Sequence, residues 1–231
     1  MTSKTRMEAL VRAWDWGAVE AALAETPKLA DVRDRRGRNW LHIACMVELT
    51  PARDAADSVR MADRLLARGF GIEDAAFTEP DFRATPLWHA VAHGKNHALI
   101  AHLLGRGASP LYCLWAAAYN DDAVTIGLLA GAGAPLDGVA EGETPLLFAV
   151  TYSAFAAVEA LLKQGADPNR LDAKGRTALH RMLNKGGDIA HLEMMLANGA
   201  SLDVADAEGR TVREILGRKR DPALKALVDR R

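Results

Sequence analysis

The chain has 231 residues, 49% of them hydrophobic and 26% charged, which is enough apolar material for one large or two small packed domains and too much for a disordered chain. Its 29 Lys and Arg are balanced by 30 Asp and Glu, so no global field draws it onto nucleic acid or an anionic membrane. The longest apolar runs, such as Trp115 to Tyr119, fall far short of the roughly 20 residues of a membrane span, and Met1 to Val11 lacks the apolar segment of a signal peptide; the expectation is a cytoplasmic protein.

From the N-terminus, Arg6 to Trp14 and Ala18 to Glu25 form a predicted helix pair that ends before Pro27, a cap over residues 1–33. Asn39-Trp40-Leu41-His42 then opens a helix, because an Asn or Thr side-chain oxygen satisfies a free amide of the first turn. The same start recurs at Thr85-Pro86-Leu87-Trp88, Thr144-Pro145-Leu146-Leu147, Thr177-Ala178-Leu179-His180 and Thr211-Val212-Arg213. Pro fits the position after the cap, where no amide hydrogen is needed. The last three starts are 33 and 34 residues apart.

A second mark runs out of phase with the first: Gly69, Gly107-Ala108, Gly133-Ala134, Gly165-Ala166 and Gly199-Ala200. Each Gly follows an apolar-periodic stretch such as Val158 to Leu162 and closes a helix. Between stop and start lie turn-rich stretches such as Asp167-Pro168-Asn169 and Asp172 to Arg176. One unit is therefore helix, turn, helix, protruding loop, and a fixed period of this kind decides the architecture. The units are 34–81, 82–108, 109–138, 139–171 and 172–205, then a C-terminal cap unit over 206–231 in which Asp221-Pro222 starts a helix to Asp229.

Two units break the period. Asn39 to Thr85 is 46 residues instead of 33. The surplus falls around Val47 to Ser58, between the paired helices, and in the following loop. Thr50-Pro51 reads there as a new helix start, lengthening the second helix by a turn or two. Gly107 to Gly133 is only 26 residues, so unit 109–138 keeps both helices and loses its protruding loop.

On these motifs the chain resembles the ankyrin-repeat family, through Asp172-Ala-Lys-Gly-Arg-Thr-Ala-Leu-His180 and Gly165-Ala-Asp-Pro-Asn169, over about 34 to 217. The resemblance implies an all-α solenoid of stacked helix-turn-helix units with short protruding fingers, stabilised by neighbour interfaces. It also implies that His42 and His180 are hydrogen-bonding struts between neighbouring loops. Its further implication is a non-catalytic module that binds another protein through finger tips and the exposed ends of the first helices, as an adaptor or a stoichiometric, immunity-type inhibitor.

Carried over unit by unit, that surface comprises Arg35, Arg36, Arg38 and Met46; Asp81, Phe82 and His93; Glu141, Glu143 and Tyr152; Lys174, Arg176, Asn184 and Lys185; and Glu208 and Arg210. Trp115 and Tyr119 join it at the missing finger, where with Trp88 and Tyr112 they either fill a repacked core, as aromatics mostly do, or line a sticky notch. The run Arg35-Arg36-Gly37-Arg38 occupies a finger and reads as partner-facing or solvating charge, not phosphate contact.

Chemistry has little to stand on. His89, His93, His97 and His102 offer an i, i+4 pair, but they lack the Glu of H-E-x-x-H and a completing ligand set, so a metal or enzymatic role is only the alternative reading. No nucleophile motif or phosphate-cradling loop appears. Gly131 to Ala134 reads as a helix stop, Lys185 to Asp188 as an inter-helix turn, and Cys45 and Cys113 as small buried hydrophobes without a disulfide. The expectation is no enzyme, no cofactor, no nucleic acid or membrane partner, and a monomer when free.

Overall fold

A computed structural model describes residues 2–79, 82–185 and 188–228. The helices in chain order are α1 (Lys4–Arg12), α2 (Trp16–Glu25), α3 (Trp40–Cys45), α4 (Ala55–Ala67), α5 (Pro86–His89), α6 (His97–Gly105), α7 (Cys113–Tyr119), α8 (Ala123–Gly131), α9 (Pro145–Thr151), α10 (Phe155–Lys163), α11 (Ala178–Asn184), α12 (Ile189–Ala197), α13 (Val212–Gly217) and α14 (Pro222–Ala226). A 3-10 turn covers Pro27–Asp31, and α5 runs on into a π turn over Ala90–Gly94. The only paired strands among the described residues, β1 (Thr78–Glu79) and β2 (Phe82–Arg83), form a small antiparallel hairpin in the lengthened finger.

The chain divides into two compact units, residues 1–116 and 117–231. In the first, α1 packs on α2 and α3, α3 on α4 and α5, and α4 on α6. In the second, α9 packs on α10 and α11, while α10 packs on α8 and α12. First helices thus stack on first helices and second on second, which repeated pairs need because one pair cannot bury its apolar stripe alone. Leu41, Leu65, Leu87, Leu99 and Leu103 are fully buried in the first unit, as are Ile126, Leu129, Val158, Leu161 and Met195 in the second. Each such side chain contributes about 1.5–3 kcal/mol of transfer free energy.

Local chemistry sets the helix starts. The side chains of Asn39, Thr85, Thr144, Thr177 and Thr211 each accept from the backbone amide three residues on, as the spacing predicts. Thr50 does not start a helix. Its carbonyl accepts from the Arg53 amide at 2.9 Å in a turn, and Asp54 caps α4 through the Ala56 amide at 2.9 Å. Pro one residue after Thr favours a tight turn as well as a first helical turn, so the dipeptide alone does not separate them. From Asp54, α4 runs for 13 residues, against nine in each of α6, α8, α10 and α12.

Ala154, at the N-cap position of α10, has no side chain to cap with, and Asp121 supplies the missing acceptor to the Ala157 amide at 2.7 Å. Where the finger is missing, the chain turns directly into α7, with the Cys113 amide donating to the Pro110 carbonyl at 3.2 Å and Tyr112 at a φ of +64°. The expected last helix spans Pro222–Ala226, and Asp229 lies outside the described residues, as do Gly186 and Gly187 of the Lys185 to Asp188 turn.

Candidate functional site: finger tips and inner helix ends

Three fingers share one construction. Asp34, Asp172 and Asp206 each accept, through Oδ1, the amides of the residues two and four positions on, at 2.8–3.0 Å. Oδ2 accepts from an Arg side chain four residues on: Arg38 at 2.6 Å, Arg176 at 2.9 Å and Arg210 at 2.7 Å. Gly37 sits within this turn at a φ of +78°, and a Cβ there would meet the Ala76 carbonyl oxygen at 2.4 Å, so both conformation and space require glycine. Burial pulls the Asp172 carboxyl up, but the Arg176 and Lys174 amides and the Arg176 and Arg181 guanidiniums outweigh it and hold it at about 2. The balance runs the same way at Asp34.

These contacts divide the predicted surface residues. Arg38 is half-buried against Asp34 and the Met46 sulfur, 3.0 Å away, and Arg176 and Arg210 fold back on their own fingers. Arg35, Arg36, Glu141, Lys174 and Glu208 are exposed at the tips. Asp81 lies outside the described residues.

At the inner helix ends, His93, Tyr119, Tyr152, Asn184 and Lys185 are exposed, and Met46 is half-buried. Tyr119 and Tyr152 expose 63% and 53% of their surface and meet edge to face at 5.2 Å, with Phe148 4.6 Å from Tyr152. The Lys185 amine reaches the Thr151 carbonyl. In the first unit Phe82 packs against Trp88 at 5.0 Å and Tyr112 at 6.1 Å, and Tyr112 lies 6.4 Å from Trp115. The aromatics around the missing finger therefore differ: Trp88, Tyr112 and Trp115 are half-buried, whereas Tyr119 is open to solvent.

The histidines do different work. His42 accepts the Asn39 amide on Nδ1, which leaves Nε2 to donate to the Asp74 carbonyl of the next finger at 2.9 Å. His180 repeats this with Thr177 and the Arg210 carbonyl at 3.1 Å. Both are struts between successive loops. At the Thr85 start, Trp88 takes the strut position, and the following His89 is 5% exposed with neither ring nitrogen hydrogen-bonded. His89 lies 5.5 Å from His42 and stacks on His93 at 5.6 Å. Burial, then the neighbouring His42 and His93, pushes its pKa down to about 3. His102 instead pairs with Asp63 at 2.9 Å. Among the described residues no group of three or more His, Cys, Asp or Glu side chains is placed to hold a metal ion. Cys45 and Cys113 are buried free thiols, and burial pushes Cys45 up to about 12.

Arg181 was not among the residues singled out from the sequence, yet it organises the second unit's inner surface. Only 10% of its side chain is exposed, and it donates to Glu143 at 2.7 Å, Thr151 Oγ1 at 2.7 Å and Asp172 at 2.9 Å. Glu143, predicted as a contact, is thereby half-buried in an ion pair. These partners lie nine to 38 residues away along the chain, beyond any local motif. The Arg fold-backs did leave a signal: Arg stands four residues after the finger Asp in all three cases.

A family model described as ankyrin repeats in three copies matches residues 87–172 and 113–206, together just over half of the chain. The chain belongs to the ankyrin-repeat family. It is 35% identical over 130 residues to inversin from Gallus gallus and 36% identical over 146 residues to ankyrin repeat and SOCS box protein 18 from Homo sapiens. Each match covers 55% of this chain but only 12% and 28% of those proteins, so the chain spans a small part of the relatives' length. Among solved structures, the ankyrin repeat domain of Bcl-3 superposes with a TM-score of 0.75 at 20% identity over 96% of both chains. An ankyrin repeat domain from Acinetobacter baumannii AYE gives 0.65 at 23% identity, covering 86% of this chain and all of its own. Ankyrin repeats are generally protein–protein interaction modules. No helix among the described residues is long and apolar enough to cross a membrane.

Proposed function

We propose that this chain is a non-catalytic protein-binding module that works inside the cell as an adaptor or stoichiometric inhibitor, is monomeric when free, and grips its partner with finger tips and inner helix ends. The observation that carries this reading is the exposed Tyr119–Tyr152 pair beside fingers already locked by their own Asp and Arg residues. Rings pre-packed edge to face lose little conformational freedom on docking, and Tyr buries large area while keeping a polar hydroxyl. Exposed charges of both signs at the second unit's tips, Glu141 and Lys174, give register.

Affinity capture from native lysate tests it, run beside the variant Arg36→Glu, Lys174→Glu, Tyr152→Ala. All three side chains are solvent-exposed, so the melting temperature should hold while at least one captured protein is lost. Identical catches would refute this surface.

A further inference from the structure

We infer that the inner face of the first unit, between the Arg35–Arg36 finger tip and His93, docks an acidic segment of the partner protein, with His93 taking up a proton as the segment binds. This rests on the protein-binding reading above and names the chemistry of one part of that surface.

Arg35 and Arg36 are exposed, and Arg38 lies just behind them, donating to Asp34 and to the Met46 sulfur. Asp34 is saturated, since its two oxygens already serve the Arg36 amide, the Arg38 amide and the Arg38 guanidinium. Of the acids in the next finger, Glu73 accepts the Ser109 amide and Asp74 accepts from Asn39. The exposed His93 ring feels Arg38 and Arg36 with no carboxylate to offset them.

Among the remaining titratable groups on the segments packed around His93, Glu48 is the added anion, and the charges that act on the ring are those of Arg38 and Arg36. His42 of α3 is tied to Asn39 and Asp74, Cys45 is a buried thiol, His89 of α5 is the ring stacked on His93, and His102 of α6 already holds Asp63. Lys95 and His97 follow in the chain. Glu48 is exposed on the loop whose Leu49 amide bonds the Gly94 carbonyl. The face therefore presents the exposed Arg35 and Arg36 guanidiniums beside the half-buried Trp88 ring, 5.7 Å from His93, and the half-buried Met46. Carboxylates flanked by apolar side chains complement that arrangement.

The proton follows from linkage. In the free protein, burial and then the two guanidiniums hold the His93 pKa below its ordinary value. A carboxylate brought against the ring favours the imidazolium and raises that pKa, so binding consumes protons and tightens as pH falls. An anion held by arginines alone has no such dependence. A nucleic-acid phosphate is disfavoured as occupant because a chain with a net charge of −1 supplies no long-range field toward a polyanion.

The test titrates the full chain with a short Glu- and Leu-containing peptide, its Gln analogue and an oligodeoxythymidine, by calorimetry at pH 7.5 and 6.0 in buffers of different ionisation enthalpy. The Glu peptide should bind several-fold more tightly at the lower pH with measurable proton uptake, and the Gln analogue at least tenfold more weakly. Arg36→Glu should abolish Glu-peptide binding, and His93→Gln should keep binding at pH 7.5 while losing both the pH dependence and the proton uptake. Equal affinity for the Glu and Gln peptides, a pH dependence that survives His93→Gln, or tighter binding of the oligonucleotide would overturn the inference. A native partner captured equally by wild type and Arg36→Glu would also overturn it, while leaving the protein-binding module intact.

Discussion

Asp172 accepts two backbone amides and two guanidiniums on a side chain only 3% exposed. Replacing it with Asn keeps the shape but leaves Arg176 and Arg181 without their anion. Breaking a buried pair by removing one partner costs about 3–5 kcal/mol, and the partial exposure of Arg176 places the expected loss near the lower end. Urea unfolding of Asp172→Asn checks this, and a loss below about 1 kcal/mol would mean that Arg181 is held by Glu143 and Thr151 alone. The pH dependence has a definite sign. A carboxyl held at about 2 in the fold, below its ordinary 3.8, contributes its full stability above pH 4 and loses it as pH falls toward 2. The Asn variant should be flatter over that window.

At the level of elements, the helix starts were legible because a cap is written within four residues: Thr or Asn, then the amide it serves. The Thr50-Pro51 misreading shows the limit of that logic, since a turn and a helix start share the same two residues. What stayed hidden is what crosses between elements. Asp121 caps α10 from 36 residues away, and Arg181 joins Glu143 from 38. No periodicity announces such a bond, because it depends on how two helices register side by side. Asp121→Ala should cost about 1 kcal/mol, the usual value of a cap, by thermal or urea unfolding. An unchanged midpoint would show that the first turn of α10 is satisfied by solvent.

Across the whole molecule, the two compact units are built to respond differently to acid. The first contains His89, whose unpartnered ring is held neutral at a pKa of about 3. Because this lies below the ordinary 6.5, the unfolded chain binds the proton more readily, so stability is complete above pH 6.5 and declines progressively toward pH 3. All five tryptophans, Trp14, Trp16, Trp40, Trp88 and Trp115, lie in residues 1–116, so Trp emission reads this unit alone. His89→Phe keeps a ring in contact with His42 and His93 while removing two orphaned nitrogens. Its acid midpoint by Trp emission should move down by roughly half a pH unit or more, with a gain on the order of 2 kcal/mol at pH 4. An unmoved midpoint would place the acid sensitivity elsewhere.

The Asp-x-x-Gly-Arg fingers have a consequence for how such a chain changes over time. Each closes with bonds that start and finish inside five consecutive residues, so the tip pairs Arg35-Arg36 and Ala173-Lys174 take no side-chain part in the Asp-centred bonds that hold the turn, whereas Glu208 also accepts from the Arg210 guanidinium. Under the function proposed above, recognition and foldability are written in separate letters, and swapping one tip pair for another would edit the choice of partner while leaving the Asp-centred bonds of the turn in place.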